Sequence, residues 1–317
     1  MENISSLARR LKQEVQGDVL FDDFSRGRYS TDASIYQLMP IGVVIPKSDD
    51  DVEAAIKIAK EQGVPVLPRG SGTSQNGQAI GEALLIDTTR HLNQIVGFDK
   101  ENQTACVQPG LVLDHLNRHL KPHGLFYPVD VSTANRATLG GMTGNNSCGA
   151  RSIRYGNMVH NVRSVEALLA DGSKAHFRKL NGDTGSGNVP HELANQLLRL
   201  GKRESEEIMS RFPKLLRRVG GYNIDELIKE DPNFGSLLVG SEGTLGFFQK
   251  IHLQLQPIPP QKVLGICHFP TFYEAMENTQ HIVKLNPDAV ELVDRNMIEL
   301  ARAIPMFAAT VNRFVQG

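Results

Sequence analysis

The sequence predicts an α+β protein of two subdomains, followed by the start of a further α+β domain. Three features support this class: a strand–helix–strand unit opens at Gly42, a β-hairpin is centred on Asp171-Gly172, and prolines cluster at 257–260. The proline cluster is the clearest boundary in the chain. We therefore expect the following parts: a helical lead-in at 1–34, a first subdomain at 35–110, a second subdomain at 111–260, and an incomplete domain at 261–317.

The unit that opens at Gly42 has the clearest local signals. Ser48 is placed to cap a helix whose first turn holds three aspartates, and Asp51 stands where a capping box has its acidic member. Apolar residues at 52, 55, 56 and 59 share one helix face. Gly63 ends the helix, and Val64–Leu67 follows as a strand.

The remaining elements follow from apolar periodicity and turn residues. Strands are predicted at 84–86, 95–98, 105–107 and 247–255, a helix at 111–120, and the hairpin at 165–170 and 174–177. A charged helical insertion is expected at 185–220, with a break near Pro213. Beyond the prolines we expect a second strand–helix–strand unit: a strand at 263–269, a helix from Thr271 and a strand at 290–293.

Composition excludes several classes of function. The 317 residues include 34 Lys+Arg and 35 Asp+Glu, a net charge of -1, which is not that of a general nucleic-acid binder. No apolar run is long enough to span a bilayer, and the first residues do not resemble a signal peptide. The three cysteines form no CxxC pair. We expect a cytoplasmic protein, with peripheral membrane association left open.

A glycine-rich loop at 68–78 directly follows a predicted strand. Its glycines permit close backbone approach, and successive N–H groups in such a loop can hold a phosphate or pyrophosphate. Gln75 stands where the dinucleotide pattern GxGxxG needs its third glycine, and Gln78 replaces the lysine of the P-loop. A nucleotide-binding ATPase is therefore the lowest-ranked hypothesis, and an ordinary surface loop is the alternative interpretation.

Two further segments are rich in small residues. Ala137–Gly149 contains four glycines and leads to Arg154-Tyr155-Gly156, and Val239–Gly246 places glycines beside an apolar stretch. Such a segment is better explained as backbone laid against a flat, polar ligand than as a long surface loop, which remains the alternative.

In this order, and with Ala170-Asp171-Gly172 and Gly221-Tyr222-Asn223 between the last two, the three segments resemble the FAD-binding domain of the vanillyl-alcohol oxidase family. The nearest group is the D-2-hydroxyacid dehydrogenases, including the large members that carry a C-terminal iron–sulfur region. The resemblance covers residues 35–260 and the start of the family's cap domain. It implies oxidation of a D-2-hydroxy acid, such as D-lactate, glycolate or D-2-hydroxyglutarate, by hydride transfer to flavin N5. An iron–sulfur cluster is expected only if a missing C-terminal region supplies it.

Position by position, the resemblance implies three groups of FAD contacts. The first loop wraps the pyrophosphate with its backbone amides, the second segment and Val162 line the opposite side and the adenine, and the third segment touches the flavin edge. The implied residues are Arg69, Gly70, Ser71, Gly72, Thr73, Ser74, Gln75, Asn76, Gly77, Gln78, Pro128, Asp130, Thr138, Gly140, Gly141, Asn145, Ser147, Gly149, Val162, Glu242 and Gly243. Covalent relatives often have a histidine where Thr73-Ser74 stands, so we expect noncovalent FAD.

The catalytic residues stay unassigned. Oxidising a 2-hydroxy acid requires a proton acceptor, a cation for the carboxylate and often a metal, and in the resembling family these come mostly from the cap domain and a later, His-rich segment. We therefore expect either a fragment or a natural chain that depends on a partner chain, and we expect the chain alone to bind FAD but to be poorly active. Alternatives are a noncatalytic FAD-binding or electron-transfer subunit, and a reductase of the same fold such as the enolpyruvyl reductase. We assign no metal ligands and interpret His115, His119 and His123 as a polar helix face.

Overall fold

The structure is a computed structural model that describes residues 2–180 and 189–316. Helices pack on two main sheets, and the expected α+β class is confirmed. Residues 185–188 of the expected helical insertion lie outside the described residues. No helix in the described ranges has the length and apolar character that a membrane crossing requires.

The first sheet is built by the N-terminal part of the chain. Its strands are β1 (Asp18–Leu20), β2 (Gly42–Ile45), β3 (Val66–Arg69) and β4 (Leu84–Asp87), and its helices are α1 (Glu2–Glu14), α2 (Asp23–Arg28) and α3 (Asp49–Glu61). The order is β1-β2-β4-β3, with β2, β4 and β3 parallel and β1 antiparallel to β2. Apolar residues of α1 and α3, among them Leu11 and Ile58, bury one face of the sheet.

The predicted N-cap of α3 is confirmed, but its capping box is not. The Asp51 amide donates to Ser48 Oγ at 3.3 Å. The buried Asp51 carboxylate accepts from the backbone amides of Gln16 and Lys47, both at 2.8 Å, instead of from the Ser48 amide. Asp51 therefore ties the turn after α1 to the start of α3, a long-range role that local sequence does not reveal.

The second sheet is antiparallel and lies in the middle of the chain. The strands of this part are β5 (Ile95–Asp99), β6 (Thr104–Val107), β7 (Leu125–Phe126), β8 (Val162–Leu168), β9 (Lys174–Phe177), β10 (Phe247–Gln254) and β11 (Gln256–Pro257). Its helices are α4 (Leu113–Leu120), α5 (Leu139–Asn145), α6 (Ser152–Tyr155), α7 (Met158–Asn161), α8 (His191–Arg203), α9 (Ser205–Arg211) and α10 (Gly235–Leu238). The order is β5-β6-β10-β8-β9, and β11 pairs separately with β7. One face of the large sheet packs on the largest apolar core, which includes Val165, Ile251 and Leu253.

Two predictions in this part are confirmed. The hairpin β8–β9 turns at Asp171-Gly172, where Gly172 has a φ of 92°. The break near Pro213 is confirmed: α9 ends at Arg211, because a proline disfavours helical geometry in the residue before it. The part of the predicted helical insertion that follows the break is wrong, because residues 212–220 form no helix.

The segment after the prolines contains helices but not the expected strands. Its helices are α11 (Phe272–Ile282), α12 (Arg295–Ala303) and α13 (Pro305–Phe314). The helix predicted from Thr271 is confirmed, and the Thr271 side chain caps it. The strands predicted at 263–269 and 290–293 are wrong, because neither segment has a partner strand in the described part of the chain. Val263 is 96% exposed and Leu264 is 84% exposed, so the apolar pattern is not matched by burial.

Candidate functional site

The three glycine-rich segments meet around one cleft of about 980 Å³. The first segment touches the second through a hydrogen bond from Ser71 Oγ to the Arg136 carbonyl. The second supports the third, because the amides of Gly240 and Glu242 donate to the Thr143 and Gly144 carbonyls, both at 2.9 Å. The cleft volume lies at the upper end of the range for small-molecule and cofactor pockets.

The first segment has a row of consecutive backbone N–H groups that the described protein leaves unpaired. The N–H groups of Ser71 to Gln75 donate to no acceptor within residues 2–180 and 189–316, and all five residues line the cleft. Consecutive unpaired N–H groups in a glycine-rich loop that lines a cavity are suited to an anionic ligand. This arrangement fits the pyrophosphate of a dinucleotide such as FAD.

Arg69 holds this row in place from behind. Its buried guanidinium donates to the carbonyls of Tyr29, Thr31 and Ala79 at 3.2, 2.8 and 2.7 Å. Burial lowers the pKa of Arg69, although nearby Asp87 opposes the shift. The side chain is therefore occupied by the protein, and what Arg69 contributes to the cleft is the position of the loop.

The second segment is helical where the sequence analysis treated it as irregular. Thr138 caps α5 by accepting from the Gly141 amide at 3.3 Å. The amides of Leu139 and Gly140 donate to the carbonyls of Leu111 and Pro109, at 2.8 and 2.7 Å. Because the protein satisfies the first turn of α5, the N-terminus of this helix offers no free anion donor to the cleft.

Close packing explains the glycines of the second segment. A Cβ on Gly140 would lie 2.6 Å from the Pro109 Cβ, and a Cβ on Gly149 would overlap the Asp130 carbonyl oxygen. Larger residues at these positions would force the walls of the cleft apart. These glycines therefore permit close approach between segments of the chain, in addition to the close approach to a ligand that the sequence predicts.

The third segment carries the titratable group whose pKa is most altered in the cleft. Glu242 has a φ of +51°, a conformation that non-glycine residues rarely adopt. The surrounding walls desolvate its carboxyl, which raises the pKa of Glu242 to about 7, while the side chain stays open to the cleft. At neutral pH the Glu242 carboxyl is therefore protonated in a large fraction of the molecules.

Asn223 anchors the third segment. Its Nδ2 donates to the carbonyls of Ser236 and Val239 at 3.2 and 2.8 Å, and Arg218 donates to its Oδ1 at 3.2 Å. Tyr222 Oη and Thr244 Oγ1 lie 2.8 Å apart. The Gly221-Tyr222-Asn223 motif thus contributes support from behind the cleft, in addition to Gly221, which lines it.

Most of the predicted FAD contacts line this cleft. They are Arg69, Gly70, Ser71, Gly72, Thr73, Ser74, Gln75, Asn76, Gln78, Asp130, Thr138, Gly140, Gly141, Asn145, Ser147, Gly149, Glu242 and Gly243. Gly77, Pro128 and Val162 do not. Gly77 has a φ of 81° and turns against the Tyr36 ring, Pro128 is buried, and Val162 is buried in β8 opposite Leu253.

Other residues line the cleft that were not predicted from the sequence. Among them are Thr88, Pro109, Val131, Ser132, Thr133, Arg217, Val219, Gly220, Gly240, Phe247, Phe248, Val290 and Glu291. Arg217 adds a cation whose NH1 lies 3.3 Å from the Gly149 carbonyl. The adjacent Gly220-Gly221 pair was the one available signal for the 217–221 stretch; the others are placed there by tertiary folding.

The histidines of the α4 region do not form a metal-ligand set. The rings of His119 and His123 pack around Phe98, with centroids 5.8 and 4.8 Å from it. Within the described ranges, the group with metal-ligand spacing is instead Cys106, Glu166 and His252, outside the cleft.

Part of the chain matches a known domain family, and most of it matches curated relatives. Residues 40–178 match the family described as FAD binding domain. The chain is 34% identical to D-2-hydroxyglutarate dehydrogenase of Pantoea ananatis, and the match covers 92% of this chain and 30% of the relative. It is 33% identical to glycolate oxidase subunit GlcD of Bacillus subtilis, over 89% of this chain and 52% of the relative.

A further relative and a solved structure extend the comparison. A probable mitochondrial D-lactate dehydrogenase of Danio rerio is 30% identical over 86% of this chain and 47% of its own length. A structure of alkyldihydroxyacetonephosphate synthase shares the fold, with a TM-score of 0.69 and 20% identity over 98% of this chain and 52% of that one. The chain thus spans about a third to a half of the relatives it matches.

Proposed function

We propose that this chain, which contains an FAD binding domain and is related to the D-2-hydroxyacid dehydrogenases, binds FAD noncovalently in the cleft described above. The observation that carries the proposal is the row of free N–H groups from Ser71 to Gln75 at the meeting point of three glycine-rich segments. We propose further that the activity served is oxidation of a D-2-hydroxy acid.

Each wall of the cleft has a role in this proposal. The amides of Ser71 to Gln75 bind the pyrophosphate, and the buried Arg69 side chain fixes their positions. The Gly140-Gly141 turn of α5 and the 145–149 stretch provide a side-chain-poor surface for the rest of the ligand. Bound FAD supplies a hydride-accepting ring system, which the amino acids themselves lack.

Glu242 holds a proton in the cleft near neutral pH. Because its pKa is raised to about 7, its carboxyl can donate a hydrogen bond to a neighbouring acceptor instead of repelling it as an anion. Thr73 and Ser74 line the same cleft and offer hydroxyl groups where covalent relatives have a histidine, which supports noncovalent binding.

The visible absorption spectrum of the purified chain tests cofactor and linkage together. We expect an oxidised-flavin spectrum, as purified or after addition of FAD, and release of the flavin by acid or heat. A colourless protein that does not take up added FAD would overturn the proposal. Flavin that stays attached after denaturation would overturn its noncovalent part.

Alanine substitution of two glycines, one in the cleft and one outside it, tests where FAD binds. Gly141 faces the cleft from α5, where alanine is a good helix former, and its added Cβ would come no closer than 3.2 Å to Thr138 Oγ1. We expect Gly141→Ala to weaken FAD binding by about tenfold or more, equal to about 1.4 kcal/mol. In the control, Gly27→Ala, the added Cβ meets no atom within 4 Å, so affinity is expected to stay unchanged. Equal FAD affinities of the two variants would show that FAD does not bind against Gly141.

A second candidate is an FAD-carrying subunit that another polypeptide completes. The observation in its favour is the apolar surface of the C-terminal segment, where Leu285 is 82% and Met306 is 77% exposed. Flavin reduction by D-lactate, glycolate or D-2-hydroxyglutarate at an ordinary enzymatic rate by the chain alone would favour the dehydrogenase. FAD binding without reduction is expected of a dehydrogenase fragment and of a subunit alike, and co-purification with a larger partner chain would then favour the subunit.

A further inference from the structure

The outer face of the second sheet carries a cluster of polar side chains. Along β6, β8 and β10, Ala105, Val107, Val165, Ile251 and Leu253 point into the core, so the alternate residues point outward. Cys106 is directly opposite His252, and His252 is directly opposite Ser164. Glu166 lies two residues after Ser164 on β8, so its side chain is on the same face. The two strand pairings thus bring a thiol, an imidazole and a carboxylate together.

The ligand atoms of this cluster have the spacing of a metal site. His252 Nε2 lies 3.7 Å from Cys106 Sγ and 3.0 Å from Glu166 Oε1, and the three atoms lie within 4.8 Å of one another. A tetrahedral zinc with ligand bonds of about 2.0–2.3 Å separates its ligand atoms by about 3.3–3.7 Å. Small side-chain rotations bring the observed distances into that range.

The surroundings orient the imidazole and leave room beside it. The His176 ring stacks on the His252 ring with centroids 5.1 Å apart, and His176 Nε2 lies 2.8 Å from Ser164 Oγ. Gly97, which is paired with Cys106 on β5, has no side chain to cover the thiol. The side chains of Glu166 and His252 are each 31% exposed, so a solvated ion can reach them.

Lys250 at present compensates the charge of Glu166. Its Nζ lies 2.8 Å from Glu166 Oε2, while Oε1 faces His252. A divalent cation would displace Lys250 from the carboxylate and replace the proton of the Cys106 thiol, so binding is expected to release a proton.

We propose that Cys106, Glu166 and His252 form a binding site for a Zn²⁺-class divalent cation, with water as the fourth ligand, that links strands β6, β8 and β10. The mixed sulfur, nitrogen and oxygen donor set matches a borderline-soft ion rather than Mg²⁺ or Ca²⁺. None of the three residues lines the candidate FAD cleft, so this site is independent of the function proposed above.

Cobalt titration of the chelator-treated chain tests the site directly. Co²⁺ is expected to produce a thiolate-to-metal charge-transfer band in the difference spectrum, and Zn²⁺ is expected to abolish it by displacement. Cys106→Ala should remove the band and weaken Zn²⁺ binding by about 100-fold or more, beyond the loss typical of outer-shell changes. Cys267→Ala, which alters an exposed cysteine away from the cluster, should leave both unchanged.

Two further variants keep the test decisive if Cys106→Ala folds poorly. Glu166→Gln retains hydrogen bonding and should weaken Zn²⁺ binding while the circular dichroism spectrum stays native. Lys250→Met removes the competing ammonium and should tighten Zn²⁺ binding by about fivefold. Absence of the charge-transfer band in the unmodified chain, or unaltered Zn²⁺ affinity in a folded Glu166→Gln protein, would overturn the proposal.

Discussion

The two main sheets and the C-terminal segment 261–316 use similar local sequence signals with opposite results. In the sheets, apolar strand residues such as Ile251 and Leu253 are fully buried. In the C-terminal segment, Val263 and Leu264 are almost fully exposed, although their sequence has the pattern of a strand. Helices form in both regions with side-chain caps, at Ser48 and at Thr271. The comparison teaches that a cap and an apolar face suffice for a helix, whereas a strand also requires a partner.

The largest expected difference between the two regions is in the free energy of unfolding that is lost when a glycine is replaced by alanine. A Cβ on Gly110 would overlap the Thr88 carbonyl oxygen and lie 2.7 Å from the Leu92 carbonyl oxygen. Both are backbone atoms that cannot rotate away. We expect Gly110→Ala to lower the free energy of unfolding by about 3 kcal/mol, as overpacking does in rigid sites. Urea denaturation measures the change.

The matched control is Gly265→Ala in the C-terminal segment. The added Cβ there meets no atom within 4 Å, so the free energy of unfolding should change by less than about 0.5 kcal/mol. A similar loss in both variants would contradict the contrast, because it would mean that the C-terminal segment is as tightly packed as the sheets.

A smaller contrast concerns two glutamates that line the cleft from different regions, Glu242 beside the second sheet and Glu291 in the C-terminal segment. The folded protein raises the pKa of Glu242 from 4.5 to about 7, by desolvation. Below pH 4.5 the carboxyl is protonated in the folded and unfolded states alike. As the pH rises toward 7, the unfolded chain ionises first, so the free energy of unfolding falls; above about 7 this contribution is constant.

Substitution with glutamine isolates that contribution. The full shift is discounted because the side chain is partly exposed, which leaves about 1–2 kcal/mol. We expect Glu242→Gln to remove this part of the decline between pH 4.5 and 7 and to be more stable than the parent at pH 8. Glu291→Gln serves as the control and should retain the decline. Parallel stability curves for the parent and Glu242→Gln would refute the raised pKa.

The sequence predicted most of the sheets because their determinants are local or repetitive. The Asp171-Gly172 turn, the alternation along 247–255 and the helix break near Pro213 each depend on a few neighbouring residues. The strands predicted at 263–269 and 290–293 failed for the opposite reason, since pairing depends on chain that lies elsewhere. The Asp51 carboxylate likewise binds Gln16 and Lys47, a choice set by tertiary contact.

The candidate site also has features that the sequence predicts and features that only the tertiary structure shows. The glycine-rich segments were visible in the sequence because their composition is unusual, and the structure brings them together around one cleft. The altered pKa of Glu242, the supporting role of Arg69 and the lining by Arg217 and Glu291 all arise from neighbours far apart in the chain. Residue type alone carries no signal for such properties.

The smallest expected contrast lies between the two helix caps. Ser48 Oγ accepts from the Asp51 amide, and Thr271 Oγ1 accepts from the Glu274 amide at 3.2 Å, so alanine removes one such bond in each case. Helix α3 packs its buried face on the first sheet, so Ser48→Ala should lower the free energy of unfolding by about 1 kcal/mol. Helix α11 buries no residue, so Thr271→Ala should leave that value unchanged and only speed amide exchange in α11. Equal losses of stability in the two variants would show that α11 unfolds together with the sheets.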